Sequence, residues 1–166
     1  MPNFQIGDYS IVSKKANISE NVIIGNFCII EEGVEIGNNV VLENYILLKK
    51  GTIIKDNTFI DSYTRSSGDN YIGRNVTLRY GTTIAKNVEI RDNVFISPNV
   101  MTIFSTHEGK PRGKTVIDEK VFIGTAAVIG PGVYIGPEIV IGAMAYVSKN
   151  CTAKGKYVGV PAKLRD

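Results

Sequence analysis

One histidine, His107, is the sole imidazole in 166 residues, and it stands in a polar stretch, TIFSTHEGKPRGK, that also holds Gly109, Pro111 and Gly113. An imidazole with an ordinary pKa of about 6.5 takes up and returns a proton at neutral pH, which suits a general base acting on a hydroxyl or an amine. A catalytic zinc site needs three protein ligands, and one histidine with two cysteines, Cys28 and Cys151, does not assemble them. No metal is expected. The net charge is +3, but the last eighteen residues gather Lys149, Lys154, Lys156, Lys163 and Arg165 against Asp166 alone. A local cationic end suits a small polyanion such as a phosphorylated cofactor, whereas a nucleic acid calls for an extended basic stripe.

The elements that must position these groups follow a period of six. Counting from Ile6, large aliphatics recur at Val12, Ile18, Ile24, Ile30, Ile36, Leu42, Leu48, Ile54 and Ile60, and again at Ile72, Leu78, Ile84, Ile90 and Ile96. Two residues before them runs a second series, among it Val22, Cys28, Val34, Val40, Thr52, Thr58, Val76, Thr82 and Val88. Gly, Asn and Asp crowd the positions after the beat, as in IGNN, IKDN and IRDN, and these residues turn a chain. Each hexad therefore reads as a short strand and a turn, and stacked hexads form a parallel β-helix with one shared core. Ser66 and Thr102 interrupt the beat with polar groups, for which the sequence offers no reason. After Thr102 the beat slips and resumes at Ile117, fifteen residues on, so one hexad plus nine residues intervene and the nine must leave the stack. His107 lies in that extruded part, and loops that leave a rigid repeat commonly carry function.

The run PNVMTIFSTHE is similar to the segment leading to the catalytic histidine of galactoside and maltose O-acetyltransferases, and VFIGTAAVIGPGVYIGPEIVIGAMAYVSKN resembles the coenzyme-binding coils of the same group. With its hexads, the chain resembles the hexapeptide-repeat acyltransferases, including the sugar N-acetyltransferases. The resemblance implies an all-β, left-handed parallel β-helix of about nine triangular coils, eighteen residues to a coil. One loop would be extruded near residues 103–114, and residues 1–166 would form a single domain. It also implies a homotrimer with active sites between subunits, and transfer of an acetyl group from acetyl-CoA to a hydroxyl or amine of a sugar or nucleotide-linked sugar. His107 would be the catalytic base, with Glu108 as a solvated neighbour or an orienting partner.

With eighteen residues to a coil, Gly124 stacks under Gly142, and Thr125 under Ala143 and then Pro161. Small residues in such a column let an elongated ligand lie against the backbone. Gly124 and Gly142 are turn residues or give the cofactor this close approach; by resemblance Thr125 and Ala143 contact its pantetheine arm, Ser148 and Lys149 the adenosine, and Lys163 in VGVPAK the ribose phosphate. Followed downward, the column reads Ser97, Arg79 and Asp61, and Arg79 and Asp61 are expected to face the acceptor or to form an ion pair. One departure concerns the acceptor: where the galactoside-type enzymes carry an Asn, this chain has Gly81 in RYGTTI.

Two further classes share the architecture. The γ-type carbonic anhydrases hold zinc with three histidines, which this chain lacks. A non-catalytic β-helix, acting as scaffold or binding subunit, stays open, since fold does not fix function. Both cysteines fall on inward positions and are expected as buried thiols in a reducing cytosol. The opening MPNFQIGDYS is not a secretory leader and no apolar run is long enough to span a bilayer, so a cytoplasmic location without membrane or nucleic-acid partners is expected.

Overall fold

The computed structural model describes residues 3–165. Those residues contain twenty-five short strands and no helix, hence no helix long and apolar enough to cross a membrane. Up to Tyr146–Val147 successive strands go in turn to a first, a second and a third sheet, and the last two join the first, giving ten, eight and seven strands, all parallel apart from the last pair. The sheets are the three faces of a left-handed triangular β-helix of about nine coils. We call the turns from first to second, second to third and third to first sheet the first, second and third corners.

The registers fix the coil length. Phe59 pairs with Thr77 and Thr77 with Phe95, eighteen residues apart, and the third sheet steps identically from Ile53 to Tyr71 to Glu89. Both inward series are sealed: Ile24, Ile36, Leu42, Ile60 and Ile96 on the beat and Val22, Val34, Val40 and Val76 ahead of it are at most 1% exposed. A hexad closes because its turn includes a residue with positive φ. At the third corner that residue is Asn21, Asn39, Asn57, Asn75 and Asn93, with φ from 55° to 61°. Asparagine tolerates this region, and its amides add a second ladder, Asn39 Nδ2 donating to Asn57 Oδ1 at 3.1 Å. At the first corner the same positions carry Tyr9, Phe27, Tyr45 and Tyr63, whose rings stack with centroids 4.8–5.1 Å apart. Such pairs are worth about 0.5–1.5 kcal/mol each, enough to offset much of the cost of a bulky residue there.

The two polar interruptions have a structural reason. Thr102 Oγ1 accepts the Ala85 backbone N–H at 2.7 Å, standing in for a ladder bond where the chain leaves the wall. Ser66 is fully buried and donates to Asn70 Oδ1 at 2.6 Å.

The last coil departs from the eighteen-residue step. Ile135 bridges Cys151 and Ile141 pairs with Tyr157, sixteen residues on, because the turn after Val147 is two residues short. Val158 therefore covers Gly142, and at the sixteen-residue step Pro161 does not stand over Ala143, which corrects the stacking expected for Pro161. Beyond it the chain reverses, and Lys163–Arg165 runs antiparallel to Lys156–Val158. Cys28 and Cys151 are both free and buried.

Candidate functional site

The site begins where the repeat fails. Below the break, strands pair eighteen residues apart; across it Met101 pairs with Val128 and Phe95 with Phe122, twenty-seven apart, so nine residues are extruded as the sequence required. They leave the second sheet after Met101–Thr102 and return to the third at Thr115–Ile117, which puts the loop on the second corner. The loop is a small folded unit. Ser105 bridges Pro111 in antiparallel fashion, Thr106 N donates to Lys110 O and Gly109 N to Thr106 O, both at 2.9 Å. His107 is exposed at its tip. Glu108 forms an exposed ion pair with Lys110 at 2.9 Å.

Between this loop and the wall is an open cleft of about 340 Å³, lined by His107, Thr106, Arg112, Pro131, Tyr146 and Ser148 among others. Two features hold the loop over it. Gly132 (φ +66°) has no side chain, and the Arg112 carbonyl occupies the space one would need. Gly132 N also donates to Thr115 Oγ1 at 3.0 Å, tying the turn to the strand that receives the loop. Thr106 lines the cleft, and its Oγ1 is buried without a hydrogen-bond partner.

On the neighbouring face, ionic bonds fasten the far end of the loop. Lys114 donates to Glu89 (3.1 Å), as does Arg91 (3.0 Å), while Arg91 also reaches Asp118 (2.9 Å), which accepts from the Tyr134 hydroxyl (2.7 Å). The Arg91 bond, chiefly, holds the Glu89 carboxyl below its ordinary range. Burial alone would push the Asp118 carboxyl up, but bonds from Tyr134, the Glu119 N–H and Arg91 outweigh it and hold that carboxyl low as well. A second cavity, about 370 Å³, opens beside this network and includes Tyr71 and Asp92. Its Glu89, Arg91 and Lys114 are already paired with one another or with the wall.

The residues singled out from sequence fall into three groups. His107 and Ser148 share the cleft at the second corner, and Lys149 follows Ser148 on the same turn. Gly124, Thr125, Gly142 and Ala143 lie on the first corner, joined through Gly124 N to Ile141 O at 2.8 Å. The column does not include Ser148, which lies twenty-four residues beyond Gly124, a coil and one hexad, and therefore one corner on. The space beside Gly124 is filled by the Ala143 backbone and that beside Gly142 by Val158, so the glycines serve coil stacking, and a ligand's close approach does not explain them. Lys163, opposite Val158 in the terminal hairpin, joins the column from above. The hairpin turn also reaches the second sheet, where Tyr146 N donates to Gly159 O and Ala162 N to Tyr146 O. Asp61 and Arg79 form the third group, an ion pair of 3.1 Å across adjacent coils with Arg79 about half exposed.

Arg112, Thr106 and Tyr146 escaped the sequence reading. The signal for the first two was their place within the extruded residues; Tyr146 sits two residues before Ser148 as an ordinary outward strand position.

The sequence matches the family profile described as GMPPB C-terminal domain over residues 5–107, and that described as hexapeptide repeat of succinyl-transferase over residues 114–149. No curated protein matches it. Among solved structures it is similar to UDP-N-acetylglucosamine acyltransferase from Francisella novicida, with 20% identity, a TM-score of 0.74, and coverage of 84% of this chain and 55% of that one. It is also similar to a mutant of perosamine N-acetyltransferase from Caulobacter crescentus in complex with CoA and GDP-perosamine, with 19% identity, a TM-score of 0.56, and coverage of 95% and 56%. A maltose O-acetyltransferase from Clostridium difficile 630 is 26% identical with a TM-score of 0.63, covering 69% of this chain and 68% of that one. The chain thus spans little more than half the length of the first two.

Proposed function

The chain belongs to the family of the GMPPB C-terminal domain, a hexapeptide-repeat β-helix, and on that premise we propose that it is an acyl-CoA-dependent acyltransferase. The reaction is transfer of acetyl from acetyl-CoA to a hydroxyl or amine of a sugar or nucleotide-linked sugar. One observation carries the reading: the only histidine of the chain sits at the tip of the one long extrusion among the described residues and lines a cleft with Ser148, Tyr146 and Arg112.

A ring nitrogen of His107 takes the proton of the acceptor group as its oxygen or nitrogen attacks the thioester carbonyl. The tetrahedral adduct then expels the thiolate, which recovers the proton from the imidazolium and leaves as free thiol. The Arg112 guanidinium is the spare donor for acceptor or phosphate, and Lys149 stands on the turn beside Ser148. In one chain the column of Gly124, Thr125, Gly142 and Ala143 lies on another corner from His107. The cofactor arm expected along that column therefore meets the imidazole of a neighbouring subunit.

A second copy also suits the outward side of the first sheet, where Phe4, Ile23, Phe95 and Phe122 are 36–45% exposed, an apolar stripe of the kind that marks subunit contacts. The assembly is taken to be a homotrimer, in the cytoplasm.

The test is release of free thiol from acetyl-CoA against a panel of sugars and nucleotide-linked amino sugars. Turnover with at least one acceptor, reduced roughly 10²–10⁴-fold in His107→Ala with an unchanged melting temperature, is the expected result. Full activity in His107→Ala overturns the role of the imidazole. Absence of turnover together with no rise in melting temperature on adding acetyl-CoA turns the reading toward a scaffold.

A further inference from the structure

Among the buried polar residues of the prism, which include Thr58, Thr64 and Thr82, one hydrogen-bonded line of side chains runs through the interior and ends where the loop leaves it. Thr52 Oγ1 and Ser66 Oγ are 2.6 Å apart, Ser66 donates to Asn70 Oδ1 at 2.6 Å, and Asn70 Nδ2 donates to the Ala85 carbonyl at 2.6 Å. Ala85 N in turn donates to Thr102 Oγ1 at 2.7 Å. Thr52, Ser66, Asn70 and Thr102 are all at most 3% exposed. Asn70 gives its amide proton to Ala85 and its oxygen receives the Ser66 proton, while the Thr52 hydroxyl lies within bonding distance of both the Lys49 carbonyl (2.7 Å) and Ser66 Oγ.

The core does not need these groups. The same inward positions elsewhere carry Val34, Val40, Val76, Ile54 and Ile84, which seal their coils fully. A buried polar network is tolerable only when every member is satisfied, and then it fixes one arrangement against the alternatives. Here the arrangement fixed is that of Ala85, whose N–H and C=O are both held by side chains. Of the next strand's two residues, the pairing retains Thr83 with Met101, and Thr102 meets Ala85 through its hydroxyl. One residue on, the Ile103 N–H still joins the wall at Ile129 O (2.9 Å), and beyond it the backbone turns outward to His107.

We propose that this buried track, with Asn70 and Thr102 as its key members, is a positioning device. It sets the direction in which residues 103–114 leave the wall and thereby where His107 stands over the cleft. The inference rests on the proposed catalytic role of His107 for its consequence, but its geometry can be tested without activity.

The test compares Thr102→Val, Thr102→Ser and the triple variant Thr52→Val, Ser66→Val, Asn70→Val. Two quantities are measured: melting temperature, and the rate of tryptic cleavage after Arg112 and Lys114, identified by mass. The proposal expects Thr102→Val and the triple variant to melt within a few degrees of the parent and to be cut in the loop at least tenfold faster. Thr102→Ser, which keeps the hydroxyl, is expected to behave as the parent. If turnover is found for the parent, kcat should fall in the same two variants with the KM for acetyl-CoA changed less than twofold. Parent-like cleavage in Thr102→Val and in the triple variant overturns the proposal. So does faster cleavage that only follows a lowered melting temperature, or failure of both variants to fold, since the track would then serve the whole prism. Failure to detect turnover in any variant bears on the proposed reaction alone and leaves the cleavage result to decide.

Discussion

The Arg112 carbonyl oxygen lies against Gly132, in the space a β-carbon there would fill, so one turn of the wall is shaped to receive the descending arm of the loop that carries His107. Gly132 also holds φ at +66°, a region that costs an ordinary residue about 1–2 kcal/mol. Gly132→Ala should therefore lift the loop. A destabilisation of about 1–3 kcal/mol is expected in denaturant unfolding, with a larger proportional loss of turnover than of stability. A variant as stable and as active as the parent would show that the contact does not hold the loop.

Arg91 joins Glu89 and Asp118 beside the same loop, and both carboxyls are held below their ordinary range. Groups with folded pKa values below the unfolded ones, about 4, add stability that is present above pH 4 and disappears as pH falls through the lower folded values. Arg91 is 43% exposed, so screening reduces its worth. Most of the effect comes from Asp118, 9% exposed, which loses a partner. Arg91→Leu should cost about 1–2 kcal/mol at pH 7, and the gap to the parent should narrow as pH falls below the ordinary carboxylate range of about 4. A gap independent of pH would show that the guanidinium acts by packing only.

Burial pushes the Cys28 thiol up and carries that of Cys151 to about 11. Since the thiolate is the reactive form, neither cysteine should react with an aromatic disulfide reagent at pH 8 in the native protein, and two equivalents should react in denaturant. Rapid labelling of one thiol in the folded state would place it outside the core.

Phe95 and Phe122 stack at 5.5 Å on the outer side of the first sheet, 38% and 41% exposed. If that stripe is where copies meet, Phe95→Glu with Phe122→Glu should convert a trimer into monomers in sedimentation equilibrium, with secondary structure kept. A trimer that survives both changes assembles through another face.

The hexad beat, the nine extruded residues and the burial of both inward series were all legible, because each is a local property repeated at fixed spacing. Ile24 and Val22 could be assigned inward without knowing any neighbour. The polar Ser66 and Thr102 were legible as exceptions but not as members of one track: the bonds that join them run through Asn70, four residues from Ser66, and Ala85, seventeen from Thr102, and Asn70 meets Ala85 only by coil stacking.

What the chain determined alone is therefore the coil, its period and the place of the break, which follow from side-chain alternation and turn chemistry. The tertiary structure decided which groups share a corner. It separated Ser148 from Gly124, brought Ser148 beside His107, paired Glu108 with Lys110, and shortened the last coil so that Val158 covers Gly142. The physical reason is that hydrogen-bonded coils add up every residue gained or lost along the stack. A two-residue deficit after Val147, or the path of nine residues around a corner, is settled by packing between coils and not by any single hexad.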